Sequence, residues 1–582
     1  SKMIMENNEG YSYYPLSNND KYLVMVKRPS RDIDQMYLLD LESNKTIMIS
    51  DQESNFWGQG FDKNDENYYY STNYDNEFLY LMSYNIESGN RSLVYKTEWD
   101  VTRHFLTKND KFSVITVNED AQSQIIVRNN KDSSIVNFKG IENLNINSVS
   151  FSDNEKIVRI NAGSSNSPGD IYTYDIESEV LNKITSNLNA SVNPSDLVNG
   201  EVIRYKSFDG LEIPSILYKP IMASKRNKVP ALVWVHGGPG GQSRIGYRAL
   251  IQYLVNHGYA ILAVNNRGSS GYGKTFYSLD DRNHGDKDLK DCVWGKKWLE
   301  EQDYIDPEKI GVIGGSYGGF MTMAAMTFEP DVFKVGVNIY GVTNWIRTLK
   351  SIPPYWEAAR KQLYKEMGDP YSSDSIRLYN ISPLFHAKNI KNPIMVLQGA
   401  NDPRVLQIES DEIVDEARKA GVYVEYLLFD DAGHGFIKKD QQDHSRNEMI
   451  LIALIMLLSM FALGLSFHNT QTALPKVFEI RIGNINSIQI GFMIAIIYFI
   501  SGATTFVGGL LADRFNLKTI YLIGIFLQFP CYLGIAYISG YSLVVLCILA
   551  AVFNASILPT ENLLLGRFTP QKYHGVVYGI KF

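Results

Sequence analysis

The chain has 582 residues, with 56 basic against 63 acidic side chains and a formal charge of −7, so it offers no basic surface for nucleic acid. Its three cysteines, Cys292, Cys531 and Cys547, form neither a disulfide framework nor a zinc spacing, and no metal or cofactor is expected. The length allows three domains, and the mean hydropathy of −0.17 averages a polar first part with a greasy tail. Over residues 1–190, period-2 runs rich in Tyr, Val and Ile alternate with polar turns, and the turns repeat. Asp40-Leu41-Glu42-Ser43, Asn85-Ile86-Glu87-Ser88 and Asp175-Ile176-Glu177-Ser178 are spaced by 45 and then 90 residues, and Asn130-Lys131-Asp132-Ser133 fills the empty slot. A second series follows similar spacing: Asn19-Asp20-Lys21, Asn64-Asp65-Glu66, Asn109-Asp110-Lys111 and Asp153-Asn154-Glu155. A period of about 45 residues suits a four-stranded propeller blade, and residues 1–195 are expected to hold about four blades.

The next elements alternate strand and helix, as in a doubly wound sheet. Pro230 to Val235 is a strand that ends in the glycine-rich run His236-Gly237-Gly238-Pro239-Gly240-Gly241. Tyr259 to Val264 is a second strand, Asp288 to Glu301 a helix, and Val332 to Ile339 a further strand. Between these last two lies the most telling stretch. Lys309-Ile310-Gly311-Val312-Ile313 runs into Gly314-Gly315-Ser316-Tyr317-Gly318-Gly319 and then into the helical run Phe320 to Met326. Strand, sharp turn and helix with Gly-x-Ser-x-Gly at the turn would hold Ser316 strained, its hydroxyl raised above the sheet edge, and side chains at Gly314 or Gly318 would collide with their neighbours. Asn392 to Gly399 reads as a buried strand that delivers Asp402; Val405 to Ala420 is a helix stopped by Gly421; Val424 to Phe429 is a last strand that delivers His434. Ser316, Asp402 and His434 follow the chain order of an α/β-hydrolase triad, with Ser316 as nucleophile, His434 as general base and Asp402 holding the imidazole tautomer. The N–H groups of Tyr317 and Gly238 are the candidate oxyanion donors. His236 reads as a brace for its loop. Arg267 and Arg404 lie near predicted strand ends, where either could meet a substrate carboxylate or carbonyl; pairing with a nearby acid is the favoured reading.

Residues from about 200 to 436 resemble the catalytic domain of the prolyl oligopeptidase family of serine peptidases, in its acylaminoacyl-peptidase and bacterial oligopeptidase branch. The resemblance rests on Ser207-Phe208-Asp209-Gly210, His236 to Pro239, Asn266-Arg267-Gly268-Ser269-Ser270-Gly271-Tyr272-Gly273, Gly314 to Gly319, Gly368-Asp369-Pro370, Asn401 to Val405 and Gly433 to Phe436. It implies an α/β hydrolase capped by a β-propeller that admits only short peptides. That family uses seven blades or so, and the chain opens on Ser1, so an N-terminal part is expected to be missing. The family's dipeptidyl peptidases clamp the substrate amino terminus with paired glutamates. No two glutamates adjoin in residues 1–200, which disfavours that specificity.

After Phe436 the chain changes character. Residues 438–447 form a charged junction, and Met449 to Phe467 is an uncharged apolar run. Three more apolar runs follow near 488–511, 519–538 and 541–560, each about long enough to span a bilayer. Gly509-Leu510-Leu511-Ala512-Asp513-Arg514-Phe515-Asn516-Leu517-Lys518 resembles the cytoplasmic-loop signature of major facilitator transporters, with Asn516 where that pattern prefers glycine, and Leu564 to Pro570 also resembles that family. The likeness covers about four of the usual twelve spans. With the N-terminal part cytoplasmic, Lys438, Lys439, Arg446, Arg514, Lys518, Arg567, Lys572 and Lys581 flank the spans inside, against Lys476 and Arg481 outside. Asp513 and Arg514 belong to the loop signature. Glu561, near the end of the fourth span, is a candidate for proton coupling, with an interfacial place beside Arg567 as the alternative.

The expected architecture is therefore multidomain: a partial β-propeller (1–195), an α/β-hydrolase catalytic domain (200–437), a junction (438–447) and a partial transmembrane bundle (448–582). The expected function is a serine peptidase acting on short peptides. An esterase on the same triad, and a transporter carrying a passenger hydrolase, are the alternatives. The bilayer is the expected partner of residues 449–566, with the peptidase on the cytoplasmic side of a multi-pass protein; oligomeric state stays open. A second reading joins two unrelated coding fragments near 437–447 and leaves a cytoplasmic peptidase. It is favoured because it accounts together for the absent start, the absent closing helix and the incomplete transporter.

Overall fold

The structure is a computed structural model that describes residues 6–436 apart from 8, 51, 354 and 355, and residues 472–568 apart from 484, 515 and 516. Two compact units divide at Gly435 and Phe436.

The first unit opens with four antiparallel sheets in succession. The first runs from Ser12–Tyr13 to Lys45–Met48, the second from Phe56–Phe61 to Arg91–Tyr95, and the fourth from Asn145–Phe151 to Val180–Lys183; each has four strands in meander order. The third has three strands, Asp100–Leu106, Phe112–Glu119 and Gln122–Asn129, and its fourth place is reduced to a single bridge between Arg128 and Ile135. This is the propeller-like architecture expected from the repeats.

Both repeat series have a physical origin. The first caps hairpins: Asp40 Oδ1 accepts the N–H groups of Glu42 and Ser43, Asn85 Oδ1 that of Ser88, and Asp175 Oδ1 those of Glu177 and Ser178. In the third sheet the side chain that does this is Asn129, one residue before the expected turn. The second series ties sheets together. Asp20, Asp65, Asp110 and Glu155 all have φ between 56° and 59°, and each comes 45 residues after the last. From that left-handed turn Asp65 accepts Asn18 N, Asn18 Nδ2 and Asn19 N, each at 2.9 Å, Asp110 accepts Lys63 N at 2.9 Å, and Glu155 accepts Asn109 N at 2.7 Å. The repeat is thus a clamp between consecutive sheets.

Residues 200–429 build one eight-stranded sheet, numbered here β1 (Gly200–Lys206), β2 (Glu212–Tyr218), β3 (Val229–Val235), β4 (Ala260–Val264), β5 (Ile305–Gly315), β6 (Gly336–Ile339), β7 (Ile394–Gly399) and β8 (Val424–Phe429). The spatial order is β1-β2-β4-β3-β5-β6-β7-β8. The first two strands are antiparallel and the rest parallel. Every residue of β4 is buried, as a central parallel strand covered on both faces requires. The helix α1 (Lys287–Glu300) and the helix α2 (Tyr317–Phe328) pack on the sheet. In α2 all residues from Tyr317 to Thr327 are buried; glycine, alanine and methionine let it fit on every side. The sixth strand is shorter than the apolar run predicts. It starts at Gly336, because Val332 N bonds back to Glu329 O in the turn that leaves α2.

The second unit carries three helices long and apolar enough to cross a membrane: α3 (Ser487–Arg514), α4 (Leu517–Tyr537) and α5 (Tyr541–Phe568). A further helix covers 472–482. The expected span 449–467 lies outside the described residues. Close packing is made by glycines: a Cβ on Gly508 would overlap Ser556 backbone, and one on Gly524 would overlap Ile557. The last helix runs past the expected end at 560, so Glu561 sits within it, 4% exposed, beside the fully buried Thr560. Asp513 and Arg514 close α3.

The clamp yields a prediction. Asp65→Ala removes three buried acceptor contacts and is expected to cost about 1–3 kcal/mol. Amide hydrogen exchange should show protection lost at Asn18 and Asn19, while Asp110→Ala should instead expose Lys63.

Candidate active site

The site is built where β5 turns into α2. Ser316 has φ 57° and ψ −119°, and its N–H bonds Ile339 O at 2.9 Å, so strain at the elbow is held by the neighbouring strand β6. The glycines are required by space. A Cβ on Gly318 would overlap the Val235 carbonyl, one on Gly314 would overlap Gly318, and one on Gly319 would lie 2.6 Å from Asn338 Oδ1 and Gly341 Cα. Strand β3 therefore passes directly behind the turn. Ser316 itself is half-buried, at the carboxyl edge of the sheet.

The strand β7 delivers Asp402 and β8 delivers His434. Asp402 is 4% exposed. Its Oδ1 accepts the N–H groups of Arg404 (2.8 Å) and Val405 (3.0 Å), and its Oδ2 lies 2.6 Å from His434 Nδ1. An aspartate so held fixes Nδ1–H on the ring and leaves Nε2 as the basic nitrogen. Among the described residues Ser316 Oγ makes no hydrogen bond to His434; such bonds are often long without substrate. The ring of Tyr340 lies against His434, with centroids 4.6 Å apart. Tyr340 has φ 41° and bonds Leu397 O through its N–H. Sequence motifs do not mark it, because its position depends on β6 lying between β5 and β7.

The candidate oxyanion donors come from two elements. Tyr317 N opens α2, where the first amides have no intrahelical acceptor. Gly238 is exposed, in the loop after β3, and a Cβ there would lie 2.6 Å from Gly240 N. The adjoining Gly237 approaches Ser316 closely: a Cβ on it would be 3.5 Å from Ser316 Cβ. His236 braces this loop, with Nδ1 2.8 Å from Gly237 O and Nε2 2.7 Å from Ser269 Oγ.

The two arginines are placed differently. Arg267 is buried and consumed: Asp291 takes its Nε and Nη2, Asp209 takes Nη1 and Nη2, and Phe208 lies under the guanidinium. Its five donors in a fixed fork suit two carboxylates, so it fastens the loop after β4 to α1 instead of contacting substrate. Arg404 is exposed, two residues from Asp402, and its side chain forms no ion pair among the described residues. Asp513, Arg514 and Glu561 belong to the second unit.

Sequence reasoning missed a buried charge cluster behind the elbow. Tyr317 is 2% exposed and its hydroxyl bonds Asp288 Oδ2 at 2.5 Å. Burial pushes the Asp288 carboxyl up to about 7, against the pull of His284. Asp280, His284 and Glu366 bring one ligand-type atom each within 4.8 Å of one another. The guanidinium of Arg31 donates to both carboxylates. A cavity of about 210 Å³ is lined by Asp32, Glu53, Asp75 and Lys274 among others, acids from three separate turns that adjoin only in space.

Two family profiles and a third match the chain. The prolyl oligopeptidase family matches residues 246–451, and the prolyl oligopeptidase N-terminal β-propeller domain matches residues 2–187. The major facilitator superfamily matches residues 429–581. Dipeptidyl aminopeptidase BIII of Pseudoxanthomonas mexicana is 36% identical over 308 residues, 52% of this chain and 44% of that protein. The acylamino-acid-releasing enzyme of Arabidopsis thaliana is 31% identical over 35% of this chain and 27% of its own. The chain thus spans less than half the length of these curated relatives. A puromycin-hydrolyzing peptidase of Mycobacterium tuberculosis shares the fold, with a TM-score of 0.67 at 20% identity over 76% of this chain and 69% of that one.

His236 generates a pH prediction. Burial lowers its pKa from the ordinary 6.5 to about 4, with the Gly237 carbonyl working the other way. The unfolded ring binds its proton near 6.5 and the folded ring only near 4, so its contribution to stability is whole above pH 6.5 and drains as pH falls toward 4. His236→Gln should flatten that fall by about 3 kcal/mol, read as the pH dependence of the thermal midpoint.

Proposed function

This chain belongs, over residues 2–187 and 246–451, to the prolyl oligopeptidase family, and on that footing we propose that it is a serine peptidase that hydrolyses short peptides through an acyl-enzyme. The observations that carry the reading are the strained Ser316 at the elbow and a His434 whose Nδ1 lies 2.6 Å from buried Asp402.

In the proposed reaction His434 Nε2 takes the Ser316 proton as Oγ attacks the scissile carbonyl. The oxyanion forms toward the N–H groups of Tyr317 and Gly238, which point from a helix start and a tight loop and need no reorganisation. The imidazolium, steadied by Asp402, protonates the leaving amine, and a water then repeats the sequence on the ester. Catalysis is assigned to residues 200–437, and the four N-terminal sheets are assigned the restriction to short peptides. The relatives include both a dipeptidyl aminopeptidase and acylamino-acid-releasing enzymes, so the lack of adjacent glutamates does not decide which chain end is read.

A membrane role for the tail is supported by the superfamily match and by three apolar helices. For the tail we propose a multi-pass anchor with the peptidase on the cytoplasmic side; the joining of two unrelated coding fragments near 437–447, the reading the sequence favours, stands against it. A transporter carrying a passenger hydrolase is the alternative; transporter sites form between repeats, and the three described spans amount to one three-span repeat, half of a six-span half.

Two measurements test these proposals. Ser316→Ala is expected to abolish fluorophosphonate labelling and to lower kcat/KM for an aminoacyl-nitroanilide by on the order of 10⁴-fold or more; unchanged turnover would exclude the triad. Carbonate-washed membranes should retain the labelled full chain, and recovery of all label in the soluble fraction would remove the anchor.

A further inference from the structure

The carboxylate cluster behind the elbow is completed by a residue from the other end of the unit. Arg31 lies in the hairpin between strands Tyr22–Ser30 and Ile33–Asp40 of the first sheet, and its side chain is only 8% exposed. Nη1 donates to Asp280 at 3.1 Å, Asp281 at 3.0 Å and Glu366 at 2.6 Å; Nη2 donates to Gly268 O at 3.0 Å; the guanidinium lies 3.5 Å over the Tyr277 ring.

Two lines lead from this guanidinium to the two candidate oxyanion donors. Along the first, Asp280 and Glu366 flank fully buried His284, each 3.5 Å from its Nε2, and neither ring nitrogen has a hydrogen-bond partner. Burial opposes charge on His284, but Glu366, Asp280 and Asp288 outweigh it and raise its pKa. The ring of His284 stands edge-on to Tyr317, whose hydroxyl bonds Asp288 and whose N–H follows Ser316. Along the second, Arg31 supports the loop of Gly238 directly: a Cβ on Gly240 would lie 2.9 Å from Nη2 and 2.8 Å from the Tyr277 ring. Its Gly268 contact adjoins Ser269, which bonds His236.

We propose that Arg31 is a positioning residue that sets both oxyanion donors, so that the first N-terminal sheet completes the active site of the hydrolase domain. The inference rests on the peptidase reading above. A lone hydrogen bond would not require an arginine here. Three carboxylates, a carbonyl and an aromatic face arranged around one planar cation do. Removing that cation leaves Asp280, Glu366 and Asp288 around His284, and Asp281 beside them, with no second positive charge. The cluster then loosens on the side that carries Tyr317.

The test compares Arg31→Met, Arg31→Lys and Tyr317→Phe in the full chain, with a 3-fluorotyrosine at position 317 as a reporter independent of turnover. Arg31→Met is expected to lower kcat by about 10- to 100-fold with KM changed less than about threefold, since the donors act on the developing oxyanion. Arg31→Lys should recover part of the loss. The double variant Arg31→Met with Tyr317→Phe should fall no further than the worse single one, as residues acting through one path are not additive. The fluorine resonance should shift in Arg31→Met. Should Arg31→Met fail to fold, Arg31→Lys and Tyr317→Phe carry the same kcat and additivity readings. A loss confined to KM, additive losses, or an unmoved fluorine resonance overturns the inference. Wild-type chain without Ser316-dependent turnover overturns the peptidase reading alone, and the fluorine shift still decides whether Arg31 sets Tyr317.

Discussion

Crowding at one point governs the catalytic half of this protein. The Val235 carbonyl, the Gly318 backbone and the Asn338–Gly341 turn all converge on the start of α2, and none leaves room for a β-carbon on Gly314, Gly318 or Gly319. Glycine there lets the strand reverse into a helix within two residues. The reversal forces Ser316 to φ 57°, a conformation that costs energy and persists only because Ile339 O holds its amide and α2 is buried along its length. The order of strands follows from the same point: β3 and β6 must flank β5 for the oxyanion loop and Tyr340 to reach the serine.

Charge is handled by two different means around that elbow. Arg267 is neutralised locally by Asp209 and Asp291, residues within the same domain, and serves to fasten a loop. Arg31 comes from another domain, and two of the three carboxylates it meets, Asp280 and Glu366, are nearly dry. Burying three carboxylates, a histidine and an arginine is costly unless each group is matched. Such a cluster therefore stores specificity of arrangement more than stability. That is a reason for the N-terminal sheets to be built so regularly. The 45-residue clamp fixes each sheet against the one before, and the Arg31 hairpin hangs from the first.

The tail obeys other rules. Its helices are apolar all round and pack through glycines, as segments in lipid do. The two parts match different families.

Much was legible in the residues because the chemistry is local. A strand followed by Gly-x-Ser-x-Gly can turn only one way, the acid follows a buried strand and the histidine the last strand, and turn motifs that recur every 45 residues or so mark a repeated sheet. Apolar runs of about twenty residues mark spans whatever surrounds them. What stayed hidden depends on distance along the chain. Arg267 next to a strand end reads as one half of an ion pair or as a ligand contact, but which acids it meets shows only when Asp209 and Asp291, 58 and 24 residues away, close on it. Asp280 and His284 are four residues apart in an irregular turn and look like ordinary surface residues. Only the tertiary fold brings Glu366 and, from 249 residues upstream of Asp280, Arg31 to meet them. Periodicity and motif record what a residue needs from its neighbours in sequence. They carry no information about which charges will be buried together, because that is set by the docking of whole sheets.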